Sequence, residues 1–432
     1  MAITGRAVAL VALGIAVLVV SPASGAAFLV VNLVIGVLII ADLCLAGAVR
    51  ACTFSRSGPT SARLGQPVTL GFTVTNGGRR TVRARIRDGW VPSAGARPRV
   101  HTVTVPAGER RFLETVLRPT RRGDRAPVRI TVRSLGPLGL AGRQGRHHAP
   151  WRLRMLPPFA SRRHLPAALA RLREVTGEVA LRGGGAGSEF DSLREYVVGD
   201  DVRTIDWRVT ARHHGAVVVR TFRPERDRRV LCVLDSGRTS AGRVGDVPRL
   251  DHAMDAALLL TAVALRAGDR VGLTAYDSTT RISLPHTRDH GLLARMSEAM
   301  ATLEPALVEA DHDGMASAVL RASSRRALIV IFTDLVPAVI EEGLLPALPT
   351  LTSRHTVLVA ALRDPRLDEL AAGHDDVGQV YAAAAAEQTL LRRRELTALL
   401  RRRGVEVVDV PPAGYAAVVT DTYLTLKARG RL

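Results

Sequence analysis

Two aspartates and two threonines are the residues in this 432-residue chain whose types and positions best suit metal chemistry. Asp235 closes the apolar run VLCVLD and Asp334 closes ALIVIFTD, so each carboxylate stands where a buried strand would end. With Thr239 and Thr333 nearby, a shared rim would offer the hard oxygen donors that magnesium prefers. The competing reading is that each aspartate caps its own loop or the helix after it.

A second set lies upstream, in EFDSLREYVVGDDVRTIDWRVTAR, Glu189 to Arg212. Glu189, Asp191, Glu195, Asp200, Asp201 and Asp206 would make a two-metal hydrolytic site only if their carboxylates converged around an activated water. Nothing in their spacing forces that. Arg194, Arg203, Arg208 and Arg212 are interleaved with them and favour paired charges that fix a loop in place. Tyr196 and Trp207 are suited to packing that loop against a sheet. A structural clasp and a docking face for a partner are compatible uses of such a segment, and catalysis ranks behind both.

Other chemistries find less support. Gly183 to Gly187 lacks the Lys-Ser/Thr and the strand-turn-helix context of a phosphate loop. Cys232 lies inside a strand pattern, away from any helix start that would activate a thiolate. His147-His148 and His213-His214 have no zinc-ligand spacing, and no G-x-S-x-G elbow occurs. The arginine runs 392–394 and 401–403 read as a solvated helix face paired with neighbouring acids.

The elements that must position these residues follow from the hydrophobic pattern. From Arg229 onward, uninterrupted apolar strands alternate with amphipathic helices, which predicts a doubly wound α/β domain over residues 229–432 with a parallel sheet. Its functional edge is where the strands end. Residues 158–228 form a connector and the charged segment. Residues 51–157 alternate with period two between Pro and Gly turns, which predicts a small antiparallel β-sandwich, with Asn76-Gly77-Gly78 as a tight hairpin turn at positive φ. Residues 1–50 contain two apolar runs, Ala7 to Val20 and Ala26 to Val49, read as a transmembrane hairpin; the first also resembles a cleavable signal peptide. Arginines 50, 56 and 63 follow the second run and place the remainder in the cytoplasm, making the chain a multi-pass protein of the cell membrane.

Charge is unevenly spread. Residues 50–163 hold 24 arginines against 4 acids, whereas residues 164–432 balance 35 basic against 35 acidic groups. Only the sandwich therefore offers a cationic field, for anionic lipid headgroups or, less favourably, nucleic acid. Lys427 is the sole lysine, so arginine fills basic positions generally and the surplus also reads as a plain solvated face. Three cysteines without framework spacing fit a reducing compartment.

The order of Glu189-Phe190, Leu193-Arg194-Glu195-Tyr196, Gly199-Asp200-Asp201, Arg203, Ile205-Asp206-Trp207 and Ala211-Arg212 resembles the signature of the bacterial domain-of-unknown-function family fifty-eight. That resemblance extends to the whole layout. It implies that the α/β domain is of von Willebrand factor A type, carrying a metal-ion-dependent adhesion site, and that the protein works beside a MoxR-type AAA+ ATPase. The first metal loop, usually Asp-x-Ser-x-Ser, reads Asp235-Ser236-Gly237-Arg238-Thr239 here, with the middle hydroxyl lost. Asp334 matches the third loop, and Asp311 or Asp313 stands where the second-loop threonine belongs. Arg238 inside the loop could replace the cation by its own charge. The combined expectation is a membrane-anchored interaction protein, not an enzyme, with a degenerate magnesium site. The alternatives are a metal-dependent hydrolase and an anionic-lipid or nucleic-acid binder.

Overall fold

The computed structural model describes residues 2–20, 25–181, 189–198, 200, 202–212, 216–223 and 228–432. Gly183 to Gly187, Gly199, Asp201 and His213-His214 lie outside the described residues, as do the side chains of Glu189, Phe190 and Asp191. The chain divides into two compact units, Met1–Leu156 and Pro157–Leu432.

The first unit opens with β1 (Ala2–Ile3), α1 (Gly5–Val20) and α2 (Gly25–Leu45). One helical stretch, Gly25–Ala51, is long and apolar enough to cross a membrane, with a mean hydropathy of 2.7. The shorter α1 packs along α2 at Gly14, where a Cβ would come within 2.9 Å of Ile35 Cδ1. A small residue at that point lets two helices approach closely.

Ten strands follow: β2 (Cys52–Ser57), β3 (Ser61–Arg63), β4 (Val68–Asn76), β5 (Val82–Trp90), β6 (Val100–Val105), β7 (Arg110–Leu117), β8 (Gly123–Arg125), β9 (Pro127–Leu135), β10 (Ala141–His147) and β11 (Leu153–Leu156). They form sheets of order β1-β10-β9-β5-β6, β2-β4-β7 and β3-β11-β8. Along β5 the period is two: Val82, Ala84 and Ile86 are buried beside Phe72 and Val132, while Arg83, Arg85 and Arg87 face water. The arginine surplus of this region is thus the wet side of a sheet.

One expectation fails here. β4 and β5 belong to different sheets, so Asn76-Gly77-Gly78 makes no hairpin turn, and neither glycine has positive φ. The reason is the buried Asn76 side chain. Its Nδ2 donates to the carbonyls of Arg80, Val105 and Pro106, and its Oδ1 accepts from Gly78 N. Those bonds tie down a crossover between sheets.

The second unit begins with α3 (Leu165–Leu181), β12 (Glu189–Glu195), α4 (Trp207–Thr210) and β13 (Val218–Arg223); β12 and β13 form a two-stranded sheet, and Val219 of β13 also bridges Ile205. Then come β14 (Arg229–Asp235), β15 (Arg243–Val244), β16 (Val247–Pro248), α5 (Arg249–Arg266), β17 (Arg270–Tyr276), β18 (Thr280–Thr287), α6 (Leu292–Ala301) and α7 (His312–Ala322). The chain ends with β19 (Leu328–Phe332), a π-helical turn (Ala338–Leu344), α8 (Leu345–Thr352), β20 (Thr356–Leu362), α9 (Arg366–Ala371), α10 (Val377–Arg402), β21 (Glu406–Val410) and α11 (Pro412–Ala428).

The main sheet has order β18-β17-β14-β19-β20-β21, parallel except for β18 at its edge. Helices cover both faces. Val230, Cys232 and Leu234 of β14 pack with α5 and α11, while Leu231 and Val233 pack with α7, α8 and α10. Each such fully buried side chain contributes on the order of 2 kcal/mol, which is why these strands read as unbroken apolar runs.

Candidate functional site

The parallel strands deliver their carboxyl ends to one rim. Leu234 pairs with Phe332, so Asp235 and Asp334 leave neighbouring strands on the same edge. Asp235 is 2% exposed and is held by neutral donors. Its Oδ1 accepts from Gly237 N at 2.8 Å, and its Oδ2 accepts from the hydroxyls of Thr333 at 2.7 Å and Thr239 at 3.4 Å.

Asp334 is held quite differently. Arg393 Nη1 lies 2.9 Å from its Oδ1 and Arg249 Nη1 lies 3.2 Å from its Oδ2. Leu335 N donates to the same Oδ1. Arg393 also grips Asp409 in bidentate fashion, at 3.1 and 2.7 Å, and both arginines donate to the Leu362 carbonyl. Burial opposes charge on the Arg393 guanidinium, but the bonds to Asp409 and the field of Asp334 outweigh it and raise its pKa.

The neighbouring loops are sewn to this rim. Asp277, almost fully buried after β17, accepts from Ser278 N and Thr279 N and lies 3.4 Å from Arg281 Nε. Asp311 N donates to the Asp277 carbonyl, while the Asp311 carboxylate caps α7 through Gly314 N at 2.9 Å. Asp313 is exposed in the first turn of α7. Arg238 turns outward to Glu309, at 3.1 Å, so it does not fill the rim.

A magnesium ion does not fit this donor set. Asp334 already carries two guanidinium groups, and Asp311 spends its carboxylate on a helix cap. Among the described residues no group of three or more His, Cys, Asp or Glu side chains is arranged to hold a metal. Sequence reasoning passes over Arg249 and Asp409 and takes Arg393 as part of a solvated arginine run, whereas the Arg393 side chain is buried. A signal existed for Arg393, which continues the buried stripe Leu390, Leu396 and Leu400 at helical spacing.

The charged segment folds as the β12–β13 hairpin. Asp206 caps α4 through Arg208 N and Val209 N, at 3.0 and 3.1 Å, and its Oδ2 binds Arg220 at 2.5 Å. Asp200 takes Arg194 at 2.5 Å and Val197 N at 3.0 Å. The arginine bond, chiefly, lowers the pKa of each aspartate. Leu193 and Glu195 are exposed, as are Arg203 and Arg212, and Tyr196 is half-buried. Asp200 and Asp206 therefore face their own arginines, Arg194 and Arg220, and Glu195 faces solvent.

Trp207 departs from expectation. Its side chain is 68% exposed and does not pack the segment against the sheet. It sits on the four-residue α4, which is capped by Asp206 and tied to β13 through the Thr210 hydroxyl, which accepts from Val218 N at 3.0 Å. Val197, Val198 and Val202 are exposed as well, Val198 at 95%. Cys232, by contrast, is fully buried, and burial pushes its thiol up to about 12. No thiolate chemistry is available there.

Comparison with known proteins agrees with the signature. A family profile described as "Protein of unknown function DUF58" matches residues 192–406. The uncharacterised protein Rv1480 of Mycobacterium tuberculosis and Mb1516 of Mycobacterium bovis are each 29% identical over 219 residues, covering 50% of this chain and 66% of the relative. The chain thus aligns with just under two thirds of the length of those relatives. Among solved structures, conserved hypothetical protein BatB from Bacteroides thetaiotaomicron aligns at a TM-score of 0.30 and 14% identity, over 46% of this chain and 98% of that one. The CARDB domain of PF1109 from Pyrococcus furiosus aligns at 0.18 and 16%, over 24% of this chain and 94% of that one. Both likenesses are too low to carry an inference.

Proposed function

We propose that this chain is a membrane-anchored, cytoplasm-facing interaction protein that docks a protein partner through its α/β unit, with the β12–β13 hairpin as the contact element. In this reading α1 and α2 form a two-pass anchor and the α/β unit is a von Willebrand factor A-like domain. The family resemblance makes a MoxR-type AAA+ ATPase the leading partner.

The supporting observation is the exposure of Trp207, Val197, Val198 and Val202 on a hairpin in which Asp200 and Asp206 are already paired with Arg194 and Arg220. Tryptophan is enriched at binding hot spots, and four large apolar side chains exposed within one short segment are the kind of surface that a partner covers. The rim is read as its scaffold, locked by Arg393 and Arg249 without need of a cation.

The test is cross-linking and affinity capture of the full chain from native membranes, followed by a direct binding measurement with the purified ATPase. Trp207→Ala is expected to weaken binding by about 30-fold, the scale of a 2 kcal/mol hot spot, and chelator to leave it unchanged. An ATPase that never co-purifies, or that binds the variant as well as the wild type, defeats the reading.

A further inference from the structure

We infer that the exposed arginines around the base of α1 and α2 form a binding site for anionic phospholipid headgroups, with Asp42 as the residue that builds it. This rests on reading α2 as a membrane span. Asp42 is an acid inside an apolar helix, yet it is completely buried. Its Oδ1 accepts from Leu138 N at 2.7 Å, and its Oδ2 accepts from Leu140 N and Ala141 N at 2.7 and 2.8 Å. Three backbone amides satisfy the carboxylate and clamp the end of α2 onto the β9–β10 turn.

The start of α1 is fixed to the same turn. β1 pairs with β10, Thr4 Oγ1 donates to the Gly139 carbonyl at 2.6 Å, and Thr4 N donates to Leu140. Both helix ends therefore stand on one edge of the sandwich. Arginines ring that junction. Arg80 donates to the Cys44 carbonyl, Arg143 Nε donates to the Leu43 carbonyl at 3.3 Å, and the Arg6 guanidinium lies over the open face of Gly139. Arg50 follows in the next turn, and all four are exposed.

Their counter-charge does not come from the protein. The first unit has 23 arginines against five acids. Asp42 is engaged by amides, Asp88 by Arg56, Glu109 by Arg111, and Asp124 by Arg152 and Arg154, and the fifth, Glu114 on β7, is in no described ion pair with the collar arginines. Arg6, Arg50, Arg80 and Arg143 form no ion pair with any described acid. Immediately beyond them both helices present bare apolar side chains, among them Val8, Val11, Val37 and Ile40. A cationic collar at the foot of a lipid-facing helix lies at headgroup depth, where anionic lipid attracts each basic residue. Position favours lipid over nucleic acid, which would have to approach a face that the bilayer occupies.

The full chain, purified in neutral detergent, is titrated with phosphatidylglycerol or phosphatidylcholine, and retained lipid is counted by native mass spectrometry. Phosphatidylglycerol is expected to be retained and phosphatidylcholine lost. The R6Q/R80Q/R143Q variant should bind phosphatidylglycerol about 100-fold more weakly, at roughly five-fold per arginine. R6K/R80K/R143K, which keeps the charge, should bind within a few-fold of wild type and so separates charge from folding. Equal retention of both lipids, or undiminished retention by the glutamine variant, overturns the site. Displacement of lipid by millimolar inorganic phosphate or by a DNA duplex would reassign it to small anions or nucleic acid. Release of the chain from membranes by alkaline carbonate would instead refute the span.

Discussion

Arg393 places its Nη1 2.9 Å from Asp334 Oδ1 while its other nitrogens hold Asp409, joining α10 to the ends of two strands. This buried network occupies the position where the family resemblance implies a cation. Removing its centre leaves two carboxylates facing each other in a poorly solvated space. Arg393→Met should therefore destabilise the protein by about 3–5 kcal/mol, the usual cost of breaking a buried pair, measured by chemical denaturation. A loss below 1 kcal/mol would mean that the network is decorative.

Cation dependence follows from the same geometry. Millimolar magnesium or EDTA should leave the melting temperature of the full chain unchanged. A rise of several degrees with magnesium would show a ligand that stabilises the folded state and would restore Asp235, Thr239 and Asp334 as a metal site.

The hairpin separates stability from binding. Trp207→Ala removes an exposed side chain and should change stability by less than about 0.5 kcal/mol. Asp206→Ala removes the α4 cap and the Arg220 partner and should fray α4 locally. Hydrogen exchange of the Arg208 and Val209 amides reads the second effect. Equal losses from both variants would place Trp207 in a packed core.

Acid sensitivity should come from the opposite edge of the sheet. Burial, then the Arg229 guanidinium, lowers His286 to about 4, with His355 and Arg270 adding to the effect against the Ala322 carbonyl. Burial lowers His355 as well. A folded pKa below the unfolded value near 6.5 means that the unfolded chain takes up the proton first. The contribution of His286 is intact above about pH 6.5 and declines as pH falls toward 4, by on the order of 3 kcal/mol in full. Urea midpoints measured across that window should fall with acidification, and less steeply in His286→Gln. A flat wild-type profile contradicts the assignment.

The sole lysine has a specific place. Lys427 Nζ lies 2.5 Å from Asp269 Oδ1 and 3.3 Å from Tyr423 Oη, and Tyr423 donates to Asp269 Oδ2 at 2.6 Å. This compact triad ties α11 to the turn between α5 and β17. Even Lys427→Arg should destabilise by about 1–3 kcal/mol, because a planar guanidinium does not fit an ammonium site without displacing its neighbours. A thermal melt unchanged in that variant would refute the fit.

The alternation of β5, the unbroken apolar runs of β14, β19 and β20, and the acids closing two of them were legible in the chain, because local periodicity reports which face of an element is buried. So were the apolar helices at the start. What the sequence left open was decided by partners distant along the polymer. Asn76-Gly77-Gly78 has the composition of a hairpin turn, but bonds from Asn76 to the Val105 and Pro106 carbonyls set it between sheets. Trp207 has the make-up of a packing residue, but among the described residues the hairpin that carries it forms a sheet of its own and leaves it exposed. Arg393 stood in a run of three arginines that looked solvated, and only the docking of α10 turns the middle one inward to Asp334. Side-chain type and spacing determined which residues could be ionised, apolar or bent. Tertiary structure alone decided which charge met which, since electrostatic pairing depends on distance in space and carries no period along the chain.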